Sequence, residues 1–288
     1  MVKSQQGQRG CSNSSCSKSS CEGCPSANGG AIEKIAPLPG VNIKHVIGIV
    51  SGKGGVGKSL TTSALAYRML RKGASVAILD ADATGPSIPR MVGLKGQLYT
   101  RMLDEENYAI LPARNADGIQ VTSTNLMLPN ETDPVIWRGA VIAGMIRQFW
   151  TETDWGDGDY MFVDMPPGTG DVPLSVFQTL PVDGIVIVTS PQELVGMIVS
   201  KAVNMAEKMN VPVLGIVENM SFLKCPDCGK EIKVFGESHI DEIAWEHGID
   251  TIAKLPMDPA FAAACDAGKV GTLPMTELDP IVQVIEAL

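Results

Sequence analysis

Gly52-Lys53-Gly54-Gly55-Val56-Gly57-Lys58-Ser59 is the stretch of this sequence best suited to hold phosphate. It matches G-x-x-x-x-G-K-[ST], the Walker A pattern, where an apolar strand-like run gives way to a helix-like one. Glycines let several backbone N–H groups face one anion, and the start of the next helix adds partial positive charge. Lys58 can then bridge the outer phosphates of ATP, Ser59 can bind Mg²⁺ through its hydroxyl, and Leu60 carries the loop into the helix. Lys53 is a second lysine in the loop, poorly placed for its own loop's phosphates. It can act on the nucleotide of a facing subunit, as an arginine finger does, or be a solvated surface lysine. Asp164 ends an apolar run before Met165-Pro166-Pro167-Gly168, the placement of a Walker B aspartate that holds Mg²⁺ directly or through water. Gly168 can bring its N–H toward the γ-phosphate, which makes residues 164–171 a candidate switch between ATP and ADP. Asp82, in Asp80-Ala81-Asp82-Ala83, is the candidate for orienting the attacking water, with a turn or capping role as its plainer alternative.

The cysteines carry a second chemistry. Cys225-Pro226-Asp227-Cys228-Gly229 has the C-x-x-C spacing with which two thiolates grip one metal, and Pro226 and Gly229 suit a tight turn. Two ligands do not complete a tetrahedral zinc site or a 4Fe–4S cluster, whereas a twofold dimer brings two such pairs together. Spacing alone leaves zinc, an iron–sulfur cluster and a redox dithiol open, although the thioredoxin-type setting of a C-x-x-C before a helix is absent. Cys11, Cys16, Cys21 and Cys24 lie in a polar N-terminal stretch; they can hold a second 4Fe–4S cluster within one chain, capture metal nonspecifically, or belong to an unstructured tail. Cys265, in the apolar run 261–265, reads as a small core residue. Of His45, His239 and His247, only His239 stands near the cysteine insert as a further ligand candidate.

These side chains need a frame that gathers strand ends. Apolar strand-like runs fall at 45–50, 75–80, 119–123, 160–164, 184–189, 213–217 and 251–255, and helix-like stretches at 59–71, 139–151, 174–180, 191–209 and 237–247. This alternation predicts an α/β fold, a mainly parallel β-sheet flanked by helices on both faces. Right-handed crossovers then line up the strand C-termini along one edge, where every motif above falls. Residues 1–39 read as a flexible Cys/Ser-rich tail and linker, and 40–288 as one ATPase domain with the C-x-x-C insert at about 221–236. An apolar fraction of 44% with only 5% aromatics suits a sheet buried on both faces. A net charge of -9 argues against nucleic acid as a partner, and the lack of a long apolar run argues against a membrane. The polar start without an apolar core is unlike a secretory signal, so the cysteines are expected as reduced thiols in the cytoplasm.

Residues 53–59 carry the deviant Walker A signature of the MinD/ParA/nitrogenase-iron-protein class. Within that class the chain resembles the Mrp (ApbC/Nbp-type) branch of iron–sulfur cluster carrier ATPases. The likeness is carried by 80–87, Trp137-Arg138-Gly139, 164–171, Glu218-Asn219-Met220-Ser221 and Cys225-Pro226-Asp227-Cys228, and spans residues 40–288. The resemblance implies a P-loop NTPase fold and a homodimer enclosing ATP, with Lys53 acting across the interface. It also implies adenine contacts from Asn219 and from Pro256-Met257-Asp258. The 4Fe–4S cluster would be held by Cys225 and Cys228 of both subunits and handed to apo iron–sulfur proteins. Cys21-Glu22-Gly23-Cys24-Pro25 is similar to the N-terminal cluster motif of eukaryotic-type relatives, but that motif's last cysteine is missing and the upstream spacing differs. Ala140 stands where the family often has proline, and Glu237-Ser238-His239 stands where a glycine run is usual.

The leading expectation is therefore slow ATP hydrolysis coupled to cluster carriage. A MinD/ParA-like positioning ATPase with structural zinc at the C-x-x-C is the alternative. Residues 278–288 are acidic and contain no Lys or Arg, unlike the basic amphipathic helix that ends the membrane-binding relatives. An electron donor like the nitrogenase iron protein would need cluster cysteines near the switch segments, and none lies between Cys24 and Cys225.

Overall fold

The structure is a computed structural model, and it describes residues 34–288 apart from 84, 86, 129, 131–138, 193 and 194. In chain order its strands and α-helices are β1 (Asn42–Ser51), α1 (Lys58–Arg71), β2 (Val76–Asp80), α2 (Ile88–Met91), β3 (Tyr99–Met102), β4 (Tyr108–Leu111), β5 (Ala113–Arg114), β6 (Gln120–Ser123), α3 (Gly139–Thr151), β7 (Asp157–Asp164), α4 (Asp171–Thr179), β8 (Gly184–Thr189), α5 (Val195–Lys208), β9 (Val213–Lys224), β10 (Glu231–Ile232), α6 (Ile240–Glu246), β11 (Ile252–Pro256), α7 (Pro259–Asp266) and α8 (Asp279–Glu286). One sheet runs β11-β9-β8-β1-β7-β2-β6 with every neighbouring pair parallel. Short β10 and β5 pair antiparallel with β9 and β6 at its two sides, and β3 with β4 forms a separate hairpin.

Alternation along each strand gives the sheet two apolar faces. In β1, Val46 and Val50 join a cluster with Phe149 of α3, Phe177 of α4, Val199 of α5 and Ile240 of α6. Ile47 and Ile49 point the other way, into a cluster with Leu65 of α1, Ile88 of α2 and Ile281 of α8. The expected α/β architecture is thus present, with a helical layer on each face. Among the described residues no helix is long and apolar enough to cross a membrane.

The expected strands all form, but β9 runs on to Lys224 instead of stopping at residue 217. Its second half is polar in sequence and reads as loop. Pairing with β11 and then β10 satisfies its backbone and keeps it extended. The hairpin β3–β4 has no clear sequence signal, because Tyr99, Met102 and Tyr108 are exposed and alternation is lost. Its turn is set by Asp104, whose side chain accepts the N–H groups of Glu106 and Asn107, each at 2.9 Å. Ahead of β1, Ile35 donates its N–H to Thr179 at 3.0 Å and accepts Trp150 Nε1–H at 2.7 Å, tying this segment to α3 and α4.

The edge of the sheet opposite the motifs is pinned by Asp159 of β7. It accepts Lys44 Nζ of β1 at 2.6 Å, and the N–H and hydroxyl of Ser75, just ahead of β2, each at 2.8 Å. Lys44 first, then Ser75, hold its carboxyl well below the usual carboxylate range. A depressed folded-state pKa adds stability at neutral pH that is lost as the pH falls below about 4, where the unfolded carboxylate titrates. Asp159→Asn should therefore lower the melting temperature at pH 7. In thermal melts at stepped pH, the gap to wild type should close as the pH drops below about 4.

Candidate functional site

The order β1-β7-β2 sets the phosphate loop beside two carboxylates. Asp164, the last residue of β7, stands level with Ile49 of β1 on one side and Asp80 of β2 on the other. It is wholly buried, so its charge must be answered locally. The first turn of α1 answers it: Lys58 Nζ at 2.8 Å and Ser59 Oγ at 2.6 Å reach Oδ2, and Thr62 Oγ1 at 2.7 Å reaches Oδ1. Lys58 Nζ also lies 3.6 Å from Asp82 Oδ2 and 3.4 Å from Ser59 Oγ. Burial alone would pull the Lys58 ammonium down, but the charges of Asp164, Asp82 and Asp80 outweigh it and its pKa is raised. Asp80 accepts Ser123 Oγ at 2.9 Å; burial, then the neighbouring Asp164 charge, pushes its carboxyl well above the ordinary range. The hydroxyl of Ser59 and the carboxylates of Asp164 and Asp82 thus surround a point already occupied by a cationic group. That is a hard-oxygen donor set of the kind that fits Mg²⁺.

The loop from Gly52 to Ser59 arches over this cluster and borders a cavity of about 250 Å³ that Asp82 and Pro167 also wall. Gly57 has φ +88°, and a Cβ there would stand 2.2 Å from Asn219 Nδ2. The crowding arises because Asn219, on β9, reaches under the loop and donates to Val56 O at 3.0 Å. Leu60, in the first turn of α1, is buried and also lines this cavity. Lys53 hydrogen-bonds Gln192, just past β8. Gly168 donates its N–H to Ser51 O at 2.7 Å, so approach to a phosphate would require that bond to open.

The expected adenine-side residues divide. Asn219 underlies the phosphate loop as described. Pro256 ends β11 opposite Phe222 of β9, and the carboxylate of Asp258 caps α7 by accepting Ala260 N–H at 2.8 Å. A cap is the ordinary use of an aspartate one residue ahead of a helix that begins with proline.

Cys225 and Cys228 occupy the turn between β9 and β10, the first half-buried and the second exposed, both as free thiols. Cys225 N–H donates to Lys230 O and Gly229 N–H to Cys225 O, each at 2.9 Å. The N–H groups of Cys228 and then Asp227 point at the Cys225 sulfur and hold its pKa below the ordinary thiol value. Such a turn presents two soft ligands to one metal. Among the described residues no group of three or more His, Cys, Asp or Glu side chains is placed to bind one, so within that part of the chain the two thiols stand as a pair. His239 does not join it; it pairs with Glu242 at 3.2 Å. Cys265 packs half-buried against the core, where burial pushes its thiol up. Cys11, Cys16, Cys21, Cys24, Trp137 and Arg138 lie outside the described residues.

Sequence reasoning passed over Thr62, Ser123 and Gln192, and it named Glu218 only within a family motif, without a role. Thr62 had a signal, since it lies three residues after Ser59 and therefore on the same helical face. The others act through tertiary contacts that no local pattern encodes.

Comparison with known proteins agrees with this geometry. The family model described as "NUBPL iron-transfer P-loop NTPase", of the ParA group, matches residues 42–287. A protein of Clostridium perfringens named iron-sulfur cluster carrier protein is 45% identical over 79% of this chain and 81% of its own length. One of the same name from Saccharolobus solfataricus is also 45% identical, over 79% of this chain and 76% of its own. Among solved structures, a nucleotide-binding protein of Archaeoglobus fulgidus, in complex with ADP and described with Co, is 42% identical. It covers 80% of this chain and 88% of its own, with a TM-score of 0.70. The MinC:MinD cell division complex of Aquifex aeolicus shares the fold, with a TM-score of 0.58 at 18% identity over 84% of this chain and 94% of its own. With its phosphate loop, parallel sheet and paired thiols in the places these matches span, the chain belongs to the NUBPL-type iron-transfer family of P-loop NTPases.

Proposed function

We propose that this chain is a cytoplasmic ATPase that carries a 4Fe–4S cluster and delivers it to apo iron–sulfur proteins. The observation that carries the reading is the turn of Cys225 and Cys228: two free thiols, one with a lowered pKa, at the end of the strand whose Asn219 touches the phosphate loop. Two thiolates per chain are half of what a 4Fe–4S cluster takes, so a homodimer bridges the cluster between its subunits. In domain terms, residues 40–288 form the ATPase, 221–236 form the cluster-binding insert, and 1–39 form a tail whose four cysteines are candidates for a second cluster.

In this reading the backbone of residues 52–60 cradles the phosphates and Lys58 bridges the outer two. Ser59 and Asp164 would hold Mg²⁺, which would supply charge to offset that developing on the transferred phosphoryl group. Lys58 and Ser59 both bond Asp164 directly, so nucleotide entry redistributes these contacts. Asp82, 3.6 Å from the Lys58 ammonium, orients the attacking water. Lys53 leaves Gln192 to reach the nucleotide of the partner subunit, and Asn219, Pro256 and Asp258 frame the adenine.

Two measurements test the reading. Anaerobic reconstitution should yield about four irons and four sulfides per dimer, with the charge-transfer absorption and Mössbauer spectrum of a 4Fe–4S centre. Cys225→Ser and Cys228→Ser should each abolish that incorporation; zinc alone in the wild type, or iron binding unchanged in the variants, refutes cluster carriage. Gly57→Ala places a methyl against Asn219 at a positive φ. It should weaken ADP binding at least about tenfold by calorimetry while the chain stays folded, as expected when a left-handed glycine and its close neighbour are both disturbed.

A further inference from the structure

Successive side chains on a strand face opposite ways, and β9 uses that alternation at Glu218 and Asn219. Asn219 holds the phosphate loop at Val56 O. Glu218 is wholly buried on the other side, and hydroxyls rather than a cation hold its carboxylate. Ser221 Oγ lies 2.6 Å from Oε2, and Ser238 Oγ bonds Oε1. Ser221 precedes and Ser238 follows the segment 222–237 that bears Cys225 and Cys228. One carboxylate therefore fastens both ends of the cysteine insert to the strand that touches the nucleotide loop.

The junction is also the place where β9 departs from regular geometry. Met220 has φ +60°, a conformation a side chain with a Cβ adopts only under constraint. The ladder between β9 and β11 shifts register at the same level, between Lys254 and Pro256. Beside it lies a cavity of about 270 Å³, walled by Gln192, Glu218, Phe235, Ser238 and His239, into which the returning end of the insert has room to shift. Gln192 is also the residue that holds Lys53. The phosphate loop thus meets β9 at Val56, and at Lys53 it meets Gln192 in the wall of the same cavity as Glu218.

We propose that Glu218 is a positioning residue, a latch through which the phosphate loop sets the geometry of the Cys225–Cys228 turn. Displacement of the loop against Asn219 rocks β9 at Met220, and Glu218 passes the motion to Ser221 and Ser238. This rests on the carrier reading above and adds the path by which the nucleotide reaches the thiols. A buried carboxylate held by two hydroxyls suits the task, because losing either bond leaves a buried charge short of donors and so makes the arrangement two-state.

Cobalt titration of the reduced, full-length chain, with Cys11, Cys16, Cys21 and Cys24 each replaced by Ser in every variant, tests it, with the thiolate-to-cobalt charge-transfer band reporting occupancy of the Cys225–Cys228 pair. The titration is run without nucleotide, with Mg·ADP, and with a non-hydrolysable ATP analogue. In wild type the apparent Co²⁺ affinity should differ about tenfold between nucleotide states. Ser238→Ala should cut that ratio to about twofold or less while ADP affinity stays within about twofold, and Ser238→Thr, which keeps the hydroxyl, should restore it. If Ser238→Ala fails to fold, Ser221→Ala reads the same ratio. An undiminished ratio in these alanine variants overturns the latch and leaves the carrier reading intact. Equal loss of cobalt affinity in every nucleotide state makes Glu218 a mere scaffold and also overturns it. A wild-type ratio of one removes nucleotide gating, and the latch with it.

Discussion

A carboxylate sealed under a glycine loop organises this molecule. Asp164 has no access to water, and its charge is tolerated only because Lys58, Ser59 and Thr62 all turn toward it. Those three donors come from one helical turn, so satisfying the carboxylate fixes where α1 begins and how the loop before it must bend. The bend in turn fixes Gly57 at positive φ above Asn219, which ties the loop to β9. The adjacent strands β1, β7 and β2 are needed at this register for Asp164 and Asp80 to stand level. Two stacked carboxylates answered by one buried lysine leave Asp80 pushed toward its neutral form.

Strand β9 joins the two chemistries. Its first half is an ordinary buried parallel strand, and its second half carries Asn219 toward the nucleotide loop and Glu218 toward the cysteine insert before ending beside Cys225. A rigid strand transmits displacement with little loss, whereas a loop of equal length would absorb it. The irregularity at Met220 lies just past the end of the β8–β9 ladder at Glu218, so the strand can flex there without unpairing from β8. The architecture thus separates the two sites in space while leaving a single covalent element between them.

What the sequence reveals and what it hides follow from the range of the forces involved. The phosphate loop, the strand-end aspartates and the C-x-x-C turn are local patterns, and each emerges where its spacing places it. The layered sheet follows from alternating apolar runs. Helix bounds such as Gly139–Thr151 agree because an amphipathic stripe is set by neighbours three and four residues apart. The continuation of β9 is hidden because its polar residues are buried by partners far away in sequence, Ser238 and Val56 among them. Asp258 shows the converse case, a motif residue whose carboxylate already serves a helix cap that its position before Pro259 announces.

The cysteine turn has a property that bears on holding cargo loosely. Main-chain N–H groups directed at the Cys225 sulfur favour the thiolate and lower its pKa without a neighbouring base. The same bonds draw electron density from the sulfur and make it a weaker donor to iron than a bare thiolate, as outer-shell hydrogen bonds tune metal ligands generally. Exposure of Cys228 leaves the other ligand open to attack by an incoming thiol. A structural metal site would bury both sulfurs and close its ligand set within one chain. Here one thiol is half-buried and the other exposed; in the proposed dimer the bridged centre would depend on the association of two subunits, and whatever loosened that association would also loosen the grip on the cluster.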